Sequence, residues 1–211
     1  MKSLWAKGWS HQVSSFSQET RAGVAIISRH DIQPGNSSPC PQDGRWLHVR
    51  IPHEDLEVCG AYAPLSDQLK GEFWDWMTTA ARPLLSQRAI VLGDLNNGLF
   101  PADHPADARP LPKWTKMQDL LDSGWTDLYR HLHPTGSDSS WWTNRGAGFR
   151  IDHAFGSQKL CDGLNFVDYV TSIENMDRPL VDKLGAREGW TRRASSDHAV
   201  LRVTLDAASR T

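Results

Sequence analysis

A chain of 211 residues is long enough for one domain that buries roughly 70 % of its surface, and 39 % apolar with 23 % charged residues excludes a disordered or fibrous polymer. A net charge of −2 excludes a protein that holds nucleic acid through a bulk excess of Lys and Arg, leaving open only a local basic face. Cys40, Cys59 and Cys161 are odd in number and lack C-x-x-C spacing, so they read as free thiols in a reducing compartment rather than a disulfide frame or zinc site.

Seven apolar runs read as strands. "GVAIIS" (23–28) is continuously apolar and predicts a strand covered on both faces. "RWLHVRI" (45–51) alternates, with Leu47, Val49 and Ile51 on one side and Trp46, His48 and Arg50 on the other. "LEVCGAYAP" (56–64), "RAIVLGD" (88–94), "FRIDHAF" (149–155), "LNFVDYV" (164–170) and "HAVLRVTL" (198–205) complete the set. Ser66 caps a predicted helix from Asp67 to about Gln87, with Leu69, Phe73, Trp76, Met77 and Ala80 as its apolar stripe and Pro83 ending its regular part. A second helix is predicted over Thr115–Ser123, closed by Gly124. Three long connections, 31–44, 97–113 and 176–195, join these elements. No eighteen-residue apolar run predicts a membrane span, and "MKSLWAKGWS" has no signal-type apolar core, so a cytoplasmic monomer with no membrane partner is the expectation.

Chemistry gathers where these strands end. "VLGDLNNG" leaves an apolar run and at once presents Asp94 and Asn96; Tyr62 closes "GAYAP", Asp152 stands in "RIDH", and Asp197 with His198 in "SSDHAV". Carboxylates can hold a hard cation such as Mg²⁺, orient or deprotonate water, and work beside a histidine that stabilises a charged phosphoryl oxygen. Each cluster alone has a plain alternative: "DLNNG" is a good turn, Asp152 a solvated strand end, His198 a satisfied core histidine and Tyr62 a packing residue. All four in this order are harder to explain that way. Trp141 and Trp142 read either as plugs of the core or as a stacking wedge for a base, and Arg145 and Arg150 beside them as phosphate partners. Arg192 and Arg193 offer a further pair, or a solvated loop.

"GAYAP", "VLGDLN", "SWWTNRGAGFRIDHAF" and "SSDHAVL" resemble the ordered motifs of the endonuclease/exonuclease/phosphatase superfamily. "GWTDLYRHLHP" followed by "SSWWTNRGAGFRIDH" is most similar to its exonuclease III and apurinic endonuclease branch, although retrotransposon endonuclease domains share the GDLN and SDH motifs. The resemblance implies a DNase I-like four-layer α/β/β/α sandwich over residues 1–211 as one domain, and a Mg²⁺- or Mn²⁺-dependent phosphodiester hydrolase acting on DNA. By position, Asp94 would activate water, Asn96 would hold it and the phosphate, and His198 would stabilise the developing charge with its ring fixed by Asp152. Asp197 would bind metal and Tyr62 would touch phosphate. Trp142, Arg145 and Arg150 would contact substrate.

The pattern also breaks. Glu19 in "SQET" lies four residues before Gly23 at a hairpin tip, and at about 3.3 Å per residue it cannot also be the superfamily's far-end metal ligand. The expectation is therefore a domain incomplete at its N-terminus, without the first two strands of the family, with exposed sheet edges and poor metal affinity. Leu65 stands where many relatives carry a polar phosphate contact. Two rivals follow, namely a phosphatase or phosphodiesterase of the same fold on another substrate, and a catalytically impaired remnant.

Overall fold

The computed structural model describes residues 8–19, 23–171 and 196–206. A hairpin opens the chain, β1 (His11–Phe16) pairing antiparallel with β2 (Gly23–Ser28). Then come β3 (Gln33–Pro34), β4 (Trp46–Ile51) and β5 (Leu56–Tyr62). Next are helix α1 (Asp67–Ala81), strand β6 (Ala89–Asp94), helix α2 (Thr115–Asp122), strand β7 (Thr126–Asp127) and the short helix α3 (Leu128–Leu132). The pair β8 (Trp141–Trp142) and β9 (Gly148–Phe149) leads into β10 (Asp152–Gly156) and α4 (Gln158–Cys161). Finally β11 (Leu164–Val170) pairs antiparallel with β12 (Val200–Leu205).

The main sheet has six strands in the order β3-β4-β5-β6-β10-β7. Its β5–β6 pair is parallel and joined through α1, as a parallel crossover requires; the remaining pairs are antiparallel. Side-chain alternation sorts the two faces. Cys59 and Ala61 of β5, Ala89 and Val91 of β6 and Phe155 of β10 pack under Phe73, Trp74 and Met77 of α1 and Met117 and Leu120 of α2. The opposite residues, Ile90, Leu92 and Ala154, pack toward Val167 and Tyr169 of β11, Leu201 and Val203 of β12, and Leu128 and Tyr129 of α3.

That second face is covered by a split strand layer. The β1–β2 hairpin lies on β4 and β5, the β11–β12 hairpin beside β10, and no hydrogen bond joins the two among the described residues. Between β2 and the sheet runs a groove of about 460 Å³, floored by Val58, Gly60, Leu92 and, at one end, Tyr62 and Asp94. This arrangement corrects the expectation that 23–28 is covered on both faces. Exposed and half-buried residues alternate along β2, and Ile27 is 38 % exposed.

Helix α1 stops at Ala81 and continues as a 3₁₀ turn, Arg82–Ser86, with Pro83 in its first turn. Its buried stripe is rotated from the predicted one: Lys70, Trp74 and Ala81 are inside, whereas Leu69 is 43 % exposed and Trp76 only half-buried. Helix α2 ends where predicted, with Gly124 at φ +112° just beyond it. The single strand expected over 149–155 is broken instead. Phe149 belongs to β9, Arg150 and Ile151 to neither strand, and β10 starts at Asp152. The 176–195 connection, with Arg192 and Arg193, lies outside the described residues, apart from which no helix is long and apolar enough to cross a membrane.

Candidate active site

Strand register brings the acids together. Asp94 is the last residue of β6 and Asp152 the first of β10, and they are directly paired; Tyr62, the last residue of β5, is paired to Asp94 on its other side. All three therefore point to the face covered by the split strand layer. Gly93 makes the close approach possible. At φ +147° a Cβ there would stand 1.9 Å from the Ala61 carbonyl oxygen, so only glycine fits before the acid.

His198 arrives from the segment entering β12, and its Nδ1 lies 2.9 Å from Asp152 Oδ2. Ser140, fully buried, sets the height of this contact. Its Oγ accepts from the backbone N–H of Ile151 and of Asp152, each at 2.9 Å, and its carbonyl accepts from Ala199 N at 2.7 Å. Tyr169 donates its hydroxyl to the Asp152 carbonyl at 2.6 Å. Neither Ser140 nor Tyr169 was singled out in the sequence. Their function here is to hold backbone, which no residue-type signal announces.

Electrostatics follow from this crowding. Burial, and then the Asp152 carboxylate opposite, push the Asp94 carboxyl up to about 6. Burial alone would lower the His198 imidazole, but the hydrogen bond and charge of Asp152, with Asp94 and Asp197 behind it, hold it above its ordinary value. Asp94, Asp152 and His198 offer ligand atoms all within 4.8 Å of one another. The raised Asp94 carboxyl beside a second carboxylate forms a donor set that a hard divalent cation relieves, so the residues present fit one. A second acidic group, Asp103, Asp127 and His153, is equally compact but already neutralised by Arg150, as described below.

Asn96 sits at φ +47°, a conformation that Asn tolerates better than most residues. Its N–H donates to Asp94 Oδ1 at 3.0 Å and its Nδ2 to the Ala63 carbonyl at 2.8 Å. Its own carbonyl accepts from Lys70 Nζ at 2.9 Å. Lys70 is only 4 % exposed, and burial lowers its ammonium despite the opposing charges of Asp67 and Asp94. Sequence periodicity hid this residue, because a stripe drawn on apolar positions skips a lysine that turns inward.

The other assignments divide. Asp197 is exposed and stands at the rim, where its Oδ2 accepts from Trp141 Nε1 at 3.2 Å; it is outside the compact carboxylate–imidazole cluster. Trp141, not Trp142, flanks the site, bridging to His198 through its backbone, with the two rings 6.5 Å apart. Trp142 packs against the core shared with β11 and β12, which is the plug its neighbour was as well placed to be. Arg145 is exposed at the tip of the β8–β9 hairpin. Arg150 is a correction. It is 1 % exposed and its guanidinium is spent on Asp103 and Asp127, so no face remains for substrate. Tyr62 is half-buried beneath Arg45, whose guanidinium carbon lies 4.4 Å from the ring centroid, a contact that sequence reading passed over.

With this geometry in place, the sequence profile of the endonuclease/exonuclease/phosphatase family matches residues 2–198, and the chain belongs to that family. An exodeoxyribonuclease III from Haemophilus influenzae is 29 % identical over 114 residues, 44 % of this chain and 43 % of the relative, so this match spans less than half of that protein. An exodeoxyribonuclease from Streptococcus pneumoniae is 26 % identical over 188 residues, 76 % of this chain and 68 % of the relative. Among solved structures, the Neisseria 3′ phosphatase NExo bound to a product DNA hairpin superposes with a TM-score of 0.76 at 25 % identity, covering 97 % of this chain and 82 % of the other. An AP endonuclease from Archaeoglobus fulgidus gives 0.75 at 20 % identity, over 97 % and 82 % of the two chains, and shares the fold. The architecture is the DNase I-like sandwich, and the resemblance lies with the exonuclease III branch.

Proposed function

We propose that the chain is a Mg²⁺- or Mn²⁺-dependent phosphodiester hydrolase acting on DNA. One observation carries this reading: Asp94, Asp152 and His198, more than a hundred positions apart at their extremes, converge within 4.8 Å at one end of the sheet. Asp94 takes the proton of the attacking water, its carboxyl binding a proton more tightly than an ordinary carboxylate does. Asn96, its amide nitrogen fixed on Ala63, holds that water with its carboxamide oxygen. His198, turned by Asp152, whose hydrogen bond and charge favour the imidazolium, presents its ring to the phosphoryl oxygen on which negative charge grows. The carboxylates of Asp94 and Asp152, with Asp197 beside them, would hold the cation, which supplies positive charge to the phosphate and its leaving oxygen. Trp141 and Arg145 on the β8–β9 hairpin form the edge along which a DNA strand lies.

A panel of abasic duplex, recessed 3′ ends, 3′-phosphorylated ends and phospho-sugars tests the assignment. Mg²⁺-dependent turnover of at least one DNA substrate is expected, with His198→Ala at least a hundredfold slower. Turnover of phospho-sugars alone selects the small-molecule reading. A folded chain with no turnover at any Mg²⁺ concentration overturns the enzyme altogether. Preference for 3′-phosphorylated ends is the finer outcome favoured by the likeness to the Neisseria phosphatase.

Lys70 enters as a positioning residue. Its ammonium holds the Asn96 carbonyl, so Lys70→Met frees the turn that carries the carboxamide. The expected result is a fall in kcat of about tenfold with KM nearly unchanged, the mark of a group lost from the transition state only. A raised KM at constant kcat would show instead that Lys70 serves substrate binding.

A further inference from the structure

Asn96 presents its carboxamide from a left-handed backbone, φ +47°, which a residue other than glycine keeps only where its surroundings hold it. Lys70 supplies one hold, on the Asn96 carbonyl. A second lies directly beneath the turn and is made by His153, a side chain the hydrolytic reading does not use. His153 is paired to Gly93 across β10 and β6, and strand alternation turns it away from Asp152, toward the helical side of the sheet. It is fully buried, and its Nε2 lies 2.7 Å from the Asn97 carbonyl oxygen. A carbonyl only accepts, so this contact places a proton on Nε2.

The imidazole has a fixed place from which to donate. Its Nδ1 faces Asp127 Oδ2 at 3.8 Å, and Arg150 holds that carboxylate in turn. The Phe155 ring, two residues along β10, lies 19° from parallel to it with centroids 5.6 Å apart. Asn97 is as tightly bound. It is fully buried, its Nδ2 donates to the Lys113 carbonyl at 2.8 Å and its Oδ1 accepts from Gly98 N at 3.1 Å. Gly98 runs so close to the neighbouring segment that a Cβ would stand 2.6 Å from the Arg150 carbonyl oxygen. On the other side of Asn96, the fully buried Leu95 donates its N–H to the Ile151 carbonyl at 2.9 Å. Asn96 is thus a one-residue arch between two pinned neighbours.

We propose that His153 is a positioning residue: by gripping the Asn97 carbonyl it fixes the left-handed Asn96, and with it the direction of the carboxamide beside Asp94. The consequence for rate rests on the hydrolytic reading, whereas the grip is a property of the turn itself. Without the donor a buried carbonyl is left unpaired, and the turn moves to find it another partner. A shift of about 1 Å in a group that places a reactant costs rate without touching the reacting atoms.

Two variants of the full chain test this. His153→Phe keeps a ring and removes the donor, while His153→Gln returns an N–H near the place of Nε2; if the Phe variant does not fold, His153→Asn, whose amide is too short to reach, replaces it. On a DNA substrate that the wild type cleaves, well below each melting point, kcat of His153→Phe should fall about tenfold with KM nearly unchanged, and His153→Gln should recover most of it. The effect should vanish in an Asn96→Gly background, which keeps the left-handed backbone but has no carboxamide to place. An equal loss in both backgrounds overturns the proposal, since His153 would then act on something other than Asn96. Amide hydrogen exchange followed by NMR reads the grip without turnover. Relative to Val91 in the middle of β6, the Asn96 and Gly98 amides should exchange at least about fivefold faster in His153→Phe than in the wild type or His153→Gln. Unchanged exchange overturns the proposal whether or not any substrate is cleaved. Faster exchange in a chain whose wild type cleaves nothing supports the grip and removes the hydrolase.

Discussion

Asp94→Asn should abolish hydrolysis and at the same time make the protein more stable at neutral pH. The rate loss, about a thousandfold or more, follows from removing the proton acceptor. The carboxamide keeps an oxygen for the Asn96 N–H, now 3.0 Å from Asp94 Oδ1, so the turn survives. The stability gain follows from the raised carboxyl. A folded-state value of about 6 against 3.8 in the unfolded chain means that the native state binds the proton more tightly. The penalty is absent below about pH 4, grows as pH rises toward 6 and is fully present above it. Full conversion of the gap would be about 3 kcal/mol, and partial solvent access reduces this to about 1–2 kcal/mol. The Asn variant should therefore melt higher at pH 7–8 and match the wild type at pH 4. Added Mg²⁺ should narrow the neutral-pH difference by stabilising only the wild type. Thermal melts at both pH values and with Mg²⁺ decide it; a variant that is less stable at pH 7 would show that Asp94 is not a strained acid. At subsaturating Mg²⁺, activity should rise with pH through about 6, and saturating Mg²⁺ should move that limb to lower pH.

The gain and the loss share one origin, and that origin was legible in the sequence. A glycine, an acid and an amide closing an apolar run is a pattern that packing alone does not explain, and Asp94, Asn96, Asp152 and His198 lie together at one end of the sheet. What stayed hidden is of another kind. Whether Trp141 or Trp142 faces the site is a matter of one residue of register, and a two-residue strand gives no periodicity to read. Lys70 was passed over because an amphipathic stripe is drawn on apolar residues. The exposure of β2 depends on what lies beside it in a layer formed from distant segments, so its continuous apolar run could not announce it. Arg150 was misread for the same reason. Next to "GFRIDH" it looks like a phosphate partner, but its fate is set by Asp103 and Asp127, 47 and 23 residues away along the chain.

Arg150→Met should cost more stability than any other single change considered, about 3–5 kcal/mol, because it strands buried acid. Arg150 Nε and one terminal nitrogen donate to the two oxygens of Asp103 at 2.8 and 3.0 Å, and its terminal nitrogens donate to both oxygens of Asp127 at 3.1 and 2.6 Å. Both acids are 4 % exposed. Burial opposes their ionisation, yet Arg150 and His153 at Asp103, and His153 with Arg150 at Asp127, hold both carboxyls below the usual carboxylate range. Arg130 also donates to Asp103, so two cations balance two acids. Lysine should not rescue the loss, since one ammonium cannot reproduce a planar fork that serves two carboxylates. Removing the facing charge as well, in Arg150→Met with Asp127→Asn, should cost less than the sum of the single changes, with a coupling of about 1–3 kcal/mol. The pH dependence has the opposite sign to that of Asp94. Depressed carboxyls contribute stability that is complete above about pH 4 and is lost as pH falls through their folded values, so the wild type should lose stability steeply in acid and Arg150→Met much less. Urea melts of wild type, both singles and the double at pH 7 and pH 3 measure each of these quantities. The site should register the damage too. Arg150 N donates to the Asp103 carbonyl at 3.0 Å, and Asp152 begins β10 two residues later, so releasing this clamp loosens the strand end that turns His198. Loss of activity in Arg150→Met at temperatures well below its melting point is the result that ties the buried ion network to the chemistry above it.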